Sequence, residues 1–341
     1  MQNNTRKILI FFILTAIPIL ILGCSNPVKA DSLTTFNVNN AKQWNEAVNT
    51  IKTNGNGGSY VINIRNDFDL PSTETPTFGE VTNISVTIKG KHTISDSTPL
   101  SHNNKHYGGL LYIGSYQNVT IFDIALEGNR YHSKPVIHIN GVDAVFTMRG
   151  IASISESADA GVSVEYGIFN LQENASITYT NIAVGISSNG FFYMSGGKIS
   201  DNLHSGRRRA MTSVVMTVGH FFMSGGTISN NENHGTGGGI VSIFTGGKFE
   251  MSGGSIFGNI TPPIGSIPIP SAVVTIIGGS FIMKGGIIYG NTESGVQEHL
   301  ANTNTLFKHS ISVAMYGDGS DILPHVEGFK GGTNHTIIGR K

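Results

Sequence analysis

The sequence predicts an all-β chain wound as a parallel solenoid, and three observations predict it. The motif F-x-M-[SK]-G-G-x-I-x-x-N occurs four times, starting at Phe192, Phe221, Phe249 and Phe281 and ending at Asn202, Asn231, Asn259 and Asn291. Inside the copies apolar residues alternate with period two, as in Phe192 and Met194, which is the rhythm of strands. The copies are also unevenly spaced. Counting two weaker copies that precede them, Phe146-Thr147-Met148 and Phe169-Asn170-Leu171, the step from Met148 to Leu171 is 23 residues, to Met194 another 23, and the next steps are 29, 28 and 32. A solenoid tolerates such variation because extra residues bulge out as loops.

The chain opens differently. Arg6 and Lys7 precede an apolar run, Ile8 to Leu22, broken only by Thr15 and Pro18. These fifteen residues fall short of the roughly 20 needed to span a bilayer. A basic start and a short apolar run are the pattern of a secretory signal. Its end, Ile21-Leu22-Gly23-Cys24-Ser25, resembles the lipobox of bacterial lipoproteins. The resemblance implies removal of residues 1–23 and acylation of Cys24, the only cysteine in the sequence. The alternative is an ordinary secretory signal beside an unrelated cysteine. With two or more acyl chains the mature protein is held stably on a membrane. The expectation is a bacterial cell-envelope protein, anchored by its N-terminal lipid in the outer membrane or at the cell surface.

Residues 24–35 read as a lipidated tether and 36–341 as the solenoid. Between about 41 and 52, Trp44, Ala47, Val48 and Ile51 lie at i, i+3, i+4 and i+7, an amphipathic helix. Asn39 or Asn40 is its N-cap, and its role is to cover the first coil. Asn83–Ile88 and Asn118–Ile121 alternate like strands and read as earlier coils with weaker lettering. Each coil then carries a V/I-x-V/I/M strand such as Val162-Ser163-Val164, a glycine-rich bend, Phe-x-Met, Gly-Gly and a strand through the Ile. Three short strands and three turns close one coil. Stacking places Phe on Phe, Met on Met and Ile on Ile in the interior, through about nine coils between Tyr60 and Ile322. His309–Ile322 and Thr336–Ile338 read as closing strands.

The repeat resembles the right-handed parallel β-helix superfamily of pectate-lyase-like proteins. It is similar in particular to Met-Ser-Gly-Gly repeat proteins of spirochaete and clostridial envelopes. The resemblance covers residues 36–341 and implies the fold and its hand. Lyases of that superfamily bring clustered Asp/Glu ligands for Ca²⁺ with an Arg or Lys base, and its hydrolases bring close Asp residues. Here Asp143, Asp159, Glu165, Glu173, Asp201, Glu232 and Glu250 recur at no one coil position, and the Asn-x-Asp and Gly-His-Gly signatures of the hydrolases are missing.

Composition narrows the function classes. Lys+Arg and Asp+Glu balance at 22 each, so no global field attracts nucleic acid. Charged residues are 13%, about half the usual share. Arg207-Arg208-Arg209 is the densest charge cluster, a candidate for binding the carboxylates or sulfates of a glycan, since Arg forks match such oxygens. The asparagines at 202, 231, 259 and 291 read as a stacked ladder in turns rather than a binding stripe. Gly235-Thr236-Gly237-Gly238-Gly239 lacks the Gly-Lys-Ser/Thr of a phosphate cradle and reads as a turn. Asp318 and Asp321 are a weak Ca²⁺ candidate, two carboxylates where calcium takes six or more oxygens. His102 and His106 have no third metal ligand to join them. No cofactor is expected. Three functions follow in order: a non-catalytic envelope lipoprotein serving adhesion or glycan binding, a lyase or hydrolase of an acidic polysaccharide, and a structural envelope spacer. The partners expected are a membrane through the lipid, and a polysaccharide or host surface component.

Overall fold

A computed structural model describes residues 33–99, 108–131, 134–204, 213–234, 238–261, 273–289 and 291–293, and the strands Ile311–Ala314, His325–Glu327 and Asn334–His335. The chain is a parallel β-solenoid. Its Ile face is a sheet of nine strands, from Phe68–Leu70 through Ser153–Ser155 and Lys198–Ser200 to Ile287–Tyr289, which marks about eight turns. Each strand pairs in parallel with the equivalent strand of the next coil, as Ile199 does with Ile228 and Ile228 with Ile256.

The Phe–Met face and the Val face belong to one sheet of 17 strands. They merge because three successive coils carry the chain around the bend without breaking the strand, at Ile137–Arg149, Ser157–Leu171 and Thr180–Met194. The sequence reading has separate short strands there. The bend is instead taken up by register shifts, as between Val164 and Tyr166, since an irregular residue lets a strand turn sharply. Later coils separate the faces, for example Val215–Thr217 and His220–Met223. They also add a small third sheet of four strands: Leu203–His204, Glu232–Asn233, Ile260–Thr261 and Thr292–Glu293.

Like residues stack in the interior. Phe146, Phe169, Phe192, Phe221, Phe249 and Phe281 are all 0% exposed. Their ring centroids are spaced 5.8, 4.9, 4.7, 4.4 and 4.9 Å, close to the strand spacing of about 4.8 Å and within the range of offset stacking. Met148, Leu171, Met194, Met223 and Met251 form a second buried column, and Ile154, Ile177, Ile199, Ile228, Ile256 and Ile288 a third. The Gly-Gly pair that follows each Phe-x-Met has two causes. A Cβ on Gly225 would stand 2.4 Å from the Ser195 carbonyl oxygen of the coil before. Gly226 has φ +78°, in the left-handed region that side chains avoid.

The first coil is built differently. Strand Thr34–Val38 pairs with Ser59–Ile64, and between them runs a helix, α1, from Ala41 to Asn54. The strand begins two residues before the boundary the sequence gives for the tether. Asn40 is the N-cap and accepts from the Gln43 backbone N–H at 3.0 Å. Trp44, Ala47, Val48 and Ile51 are buried, and Trp44 meets Phe68 at 6.4 Å between centroids. The first strand of the Val face, Leu111–Ile113, has an outer edge that would stand open. A strap, residues 73–78, covers it. Thr73 and Gly109 exchange both backbone hydrogen bonds, at 2.8 and 2.9 Å, and the Thr77 N–H donates to the Tyr112 carbonyl at 2.8 Å. Phe78 anchors the strap in the core at 0% exposure. Covering an edge in this way removes a template for unwanted strand pairing.

At the carboxyl end, Ile311–Ala314 pairs with Val274–Ile277, inside the segment read as closing strands. His325–Glu327 adds to the Phe–Met face and Asn334–His335 to the Val face, two strands that the sequence reading does not contain. Residues 336–338 lie outside the described residues. Among those described, no helix is long and apolar enough to cross a membrane.

Candidate functional site

The asparagines at 202, 231, 259 and 291 do form a ladder, and it faces inward. Asn202, Asn231 and Asn259 are at most 1% exposed. Asn202 Nδ2 donates to Asn231 Oδ1 at 2.9 Å, Asn231 Nδ2 to Asn259 Oδ1 at 2.9 Å, and Asn259 Nδ2 to Asn291 Oδ1 at 2.8 Å. The same oxygens accept the backbone N–H of Asn202, Asn231 and Asn259 at 3.2, 3.0 and 3.0 Å. The left-handed residue of each turn is not the asparagine but the one before it: Asp201, Asn230 and Gly258, with φ of 57, 56 and 63°. One coil earlier Thr180 holds the column, and its N–H and Oγ1 donate to Asn202 Oδ1 at 3.0 and 2.7 Å. Every polar atom of this column works within the fold, so it offers nothing to a ligand.

The outer side of the Phe–Met face is different. In Phe191–Met194 and His220–Met223 the buried residues are Phe192, Met194, Phe221 and Met223. Alternation therefore turns Phe191, Tyr193, His220 and Phe222 outward. Coil stacking sets them as a two-by-two tile. Phe191 stacks on His220 and Tyr193 on Phe222, both at 5.0 Å, and His220 lies 6.2 Å from Phe222. Tyr193 is 38% exposed. On the next coil the same two positions are Lys248 and Glu250. Lys248 Nζ stands 5.7 Å from the Phe222 centroid, a cation over an aromatic face, and 3.0 Å from Glu250. Lys284 reaches Glu250 from one coil further, at 2.5 Å. These bonds, from Lys284 first and then Lys248, hold the Glu250 carboxyl below the usual glutamate range. The strip thus runs along the coils from rings to two lysines that share one carboxylate.

A second polar cluster lies on the outer side of the Val face. His138 is 0% exposed. Tyr112 of the preceding coil stacks on its ring at 4.6 Å with 9° between planes. Nδ1 accepts the Gly108 N–H at 3.0 Å, so the ring proton is on Nε2. Nε2 lies 3.3 Å from Glu165 Oε1, off the direction of a hydrogen bond. Burial pushes the His138 pKa down, against the smaller upward pull of Glu165. Burial likewise raises the Tyr112 phenol.

The acids singled out in the sequence lie apart. Glu173 pairs with Arg149 at 2.8 Å, Glu232 with His234 at 2.6 Å and Asp201 with Lys198 at 3.7 Å. Glu250 and Glu165 have the partners given above, and Asp143 takes a left-handed turn position with φ 53°. Among the described residues, no group of three or more His, Cys, Asp or Glu side chains is placed to hold a metal ion. Cys24, His102, His106, Arg207, Arg208, Arg209, Asp318 and Asp321 lie outside the described residues.

Sequence reasoning missed both the aromatic strip and the His138 cluster. The strip had one usable signal, aromatic or charged residues at outward positions of adjacent motif copies. His138 had another, a histidine within the apolar run Val136-Ile137-His138-Ile139. Compared with family models, with curated proteins and with solved structures, the chain matches none of them.

Proposed function

We propose that this is a lipid-anchored protein of a bacterial envelope that binds glycans on the outer Phe–Met face of its solenoid without cleaving them. The observation that supports this reading is the outward tile of Phe191, Tyr193, His220 and Phe222, bordered by Lys248 and Lys284. Apolar C–H faces of sugar rings pack on aromatic surfaces, and ammonium groups donate to sugar hydroxyls and carboxylates. A ring tile in a sheet is also rigid, so little side-chain freedom is lost on binding. In this reading Arg207–Arg209, which follow His204 in the sequence, add bidentate contacts to acidic sugars. Cys24 carries the lipid that holds the protein at the membrane.

The test is a binding and cleavage experiment on the full chain with a panel of neutral and acidic polysaccharides, with and without Ca²⁺. The expected result is retention on at least one glycan, lost in the double variant Tyr193→Ala/Phe222→Ala, with no new reducing ends and no unsaturated products. Cleavage of any member overturns the non-catalytic reading. Unchanged binding by the double variant removes the strip from it. The anchor is tested separately: Cys24→Ser moves the protein from the membrane fraction to the soluble one, and a variant that stays with the membrane refutes lipidation at that residue.

A further inference from the structure

His138 stands between two partners that prefer different protonation states of its ring. On one side the Gly108 N–H donates to Nδ1 at 3.0 Å and requires a bare nitrogen there. On the other the Glu165 carboxylate lies 3.3 Å from Nε2 and favours an imidazolium. The ring cannot turn to suit both, because Tyr112 stacks flat on it at 4.6 Å. Tyr112 and Glu165 are the titratable groups that face it, and Glu80 stands beyond Tyr112.

Gly108 matters because of what it adjoins. Its φ is +110°, and a Cβ there would stand 2.1 Å from the Thr73 carbonyl oxygen, so glycine alone lets this backbone lie against the strap. The next residue, Gly109, exchanges two hydrogen bonds with Thr73. The Tyr112 N–H then donates to Thr77 Oγ1 at 2.9 Å. The bond to His138 is therefore one end of a short chain of contacts that runs through Gly108 and Gly109 to the strap over the Leu111–Ile113 edge.

We propose that His138 is an acid-sensitive latch: a proton on Nδ1 sets a donor against the Gly108 N–H, breaks that bond and frees the strap at residues 73–77 from the edge of the Val face. The protonated ring then pairs with Glu165, so the released state has a stabilising partner of its own. This is what a two-state pH device needs, a titratable group whose two forms are held by different contacts. The strap opens while the asparagine ladder and the Phe column, which contain no titrating group, stay closed.

The experiment is amide hydrogen exchange on the full chain between about pH 7 and about pH 5, corrected for intrinsic exchange rates. The expected result is at least a tenfold loss of protection at Thr73, Thr77, Gly108, Gly109 and Tyr112 in acid, with protection unchanged at Met251 and Ile256, which lie in a coil away from both the strap and His204. His138→Asn offers Gly108 an oxygen acceptor but takes up no proton, and it should keep the strap protected at both pH values. Glu165→Gln removes the partner of the imidazolium and should move the release to lower pH. Equal protection of the wild-type strap at both pH values overturns the latch, as does the same acid release in His138→Asn. Should His138→Asn not fold, Glu165→Gln decides: a downward shift supports the latch and an unmoved midpoint overturns it.

Discussion

Asn231 donates its side-chain amide to Asn259 Oδ1 at 2.9 Å, and the Asn231 backbone N–H donates to the same oxygen at 3.0 Å. One side chain thus satisfies two donors of the neighbouring coil while its own amide reaches back to the Ile228 carbonyl at 3.0 Å. Removing one member orphans groups on both sides of it.

Asn231→Ala leaves the Asn202 backbone N–H without its acceptor, while Asn202 Nδ2 keeps the Ile177 and Ser200 carbonyls. A buried unsatisfied group costs about 1–3 kcal/mol. The expected loss is of that order, about 1–3 kcal/mol, read as a fall in the urea midpoint. Exchange should rise at Asn202 while Val86 and Val119, several coils away, hold their protection, because coils interact chiefly with neighbours.

Phe221 and Phe222 are adjacent in sequence and opposite in role. Phe221 is fully buried between Phe192 and Phe249, so Phe221→Ala should cost about 3–5 kcal/mol in stability. Phe222→Ala removes an outward ring and should cost less than about 1 kcal/mol. Urea unfolding of the two variants side by side checks the contrast, and equal losses would contradict the inward–outward assignment.

Two glycines with nearly the same φ should respond differently to alanine. Gly55, at the end of α1, has φ +76° and nothing within 4 Å of an added Cβ, so only backbone strain of about 1 kcal/mol opposes it. Gly226, at φ +78°, would place the Cβ 2.4 Å from the Gly196 carbonyl oxygen. Coils must part there, and Gly226→Ala should lose about 3 kcal/mol or more. Thermal unfolding distinguishes the two.

His204 is 2% exposed, and burial, with a smaller contribution from His234, holds its pKa below the usual histidine value against a backbone bond at Asn181. The folded state therefore favours the neutral ring. Below about pH 6.5 the unfolded chain binds more protons, so this contribution is intact above that pH and falls as pH drops toward the folded pKa. His204→Asn should flatten the dependence of stability on pH between about pH 7 and about pH 5, and an unchanged slope would refute the assignment.

The interior was legible because the repeat prints it. A residue that must stack on its own kind recurs as the same letter, so Phe, Met, Ile and Asn each announced a column. The outer positions carry no such constraint. The column of Ile168, Phe191, His220, Lys248 and Ser280 changes its chemistry at every coil, so the letters gave no register for the strip. The strap was hidden for another reason. Pro71 to Phe78 reads as a turn-rich connection, and only the fold brings it to Gly109 and Tyr112. Sequence rhythm also marked strands but not bends, which is why the three long strands that wrap two faces went unread.

The ladder has a direction. From Asn202 through Asn259 each side-chain amide presents its oxygen toward the amino-terminal coils and its nitrogen to the next asparagine, with Asn291 the last acceptor, so the dipoles align head to tail and polarise one another. Thr180 closes the electronegative end with two donors. A whole motif copy inserted anywhere within the column would bring one acceptor and one donor already facing the right way. Growth by duplication thus requires no new polar partner, whereas a coil spliced in without its asparagine would interrupt the line on both sides.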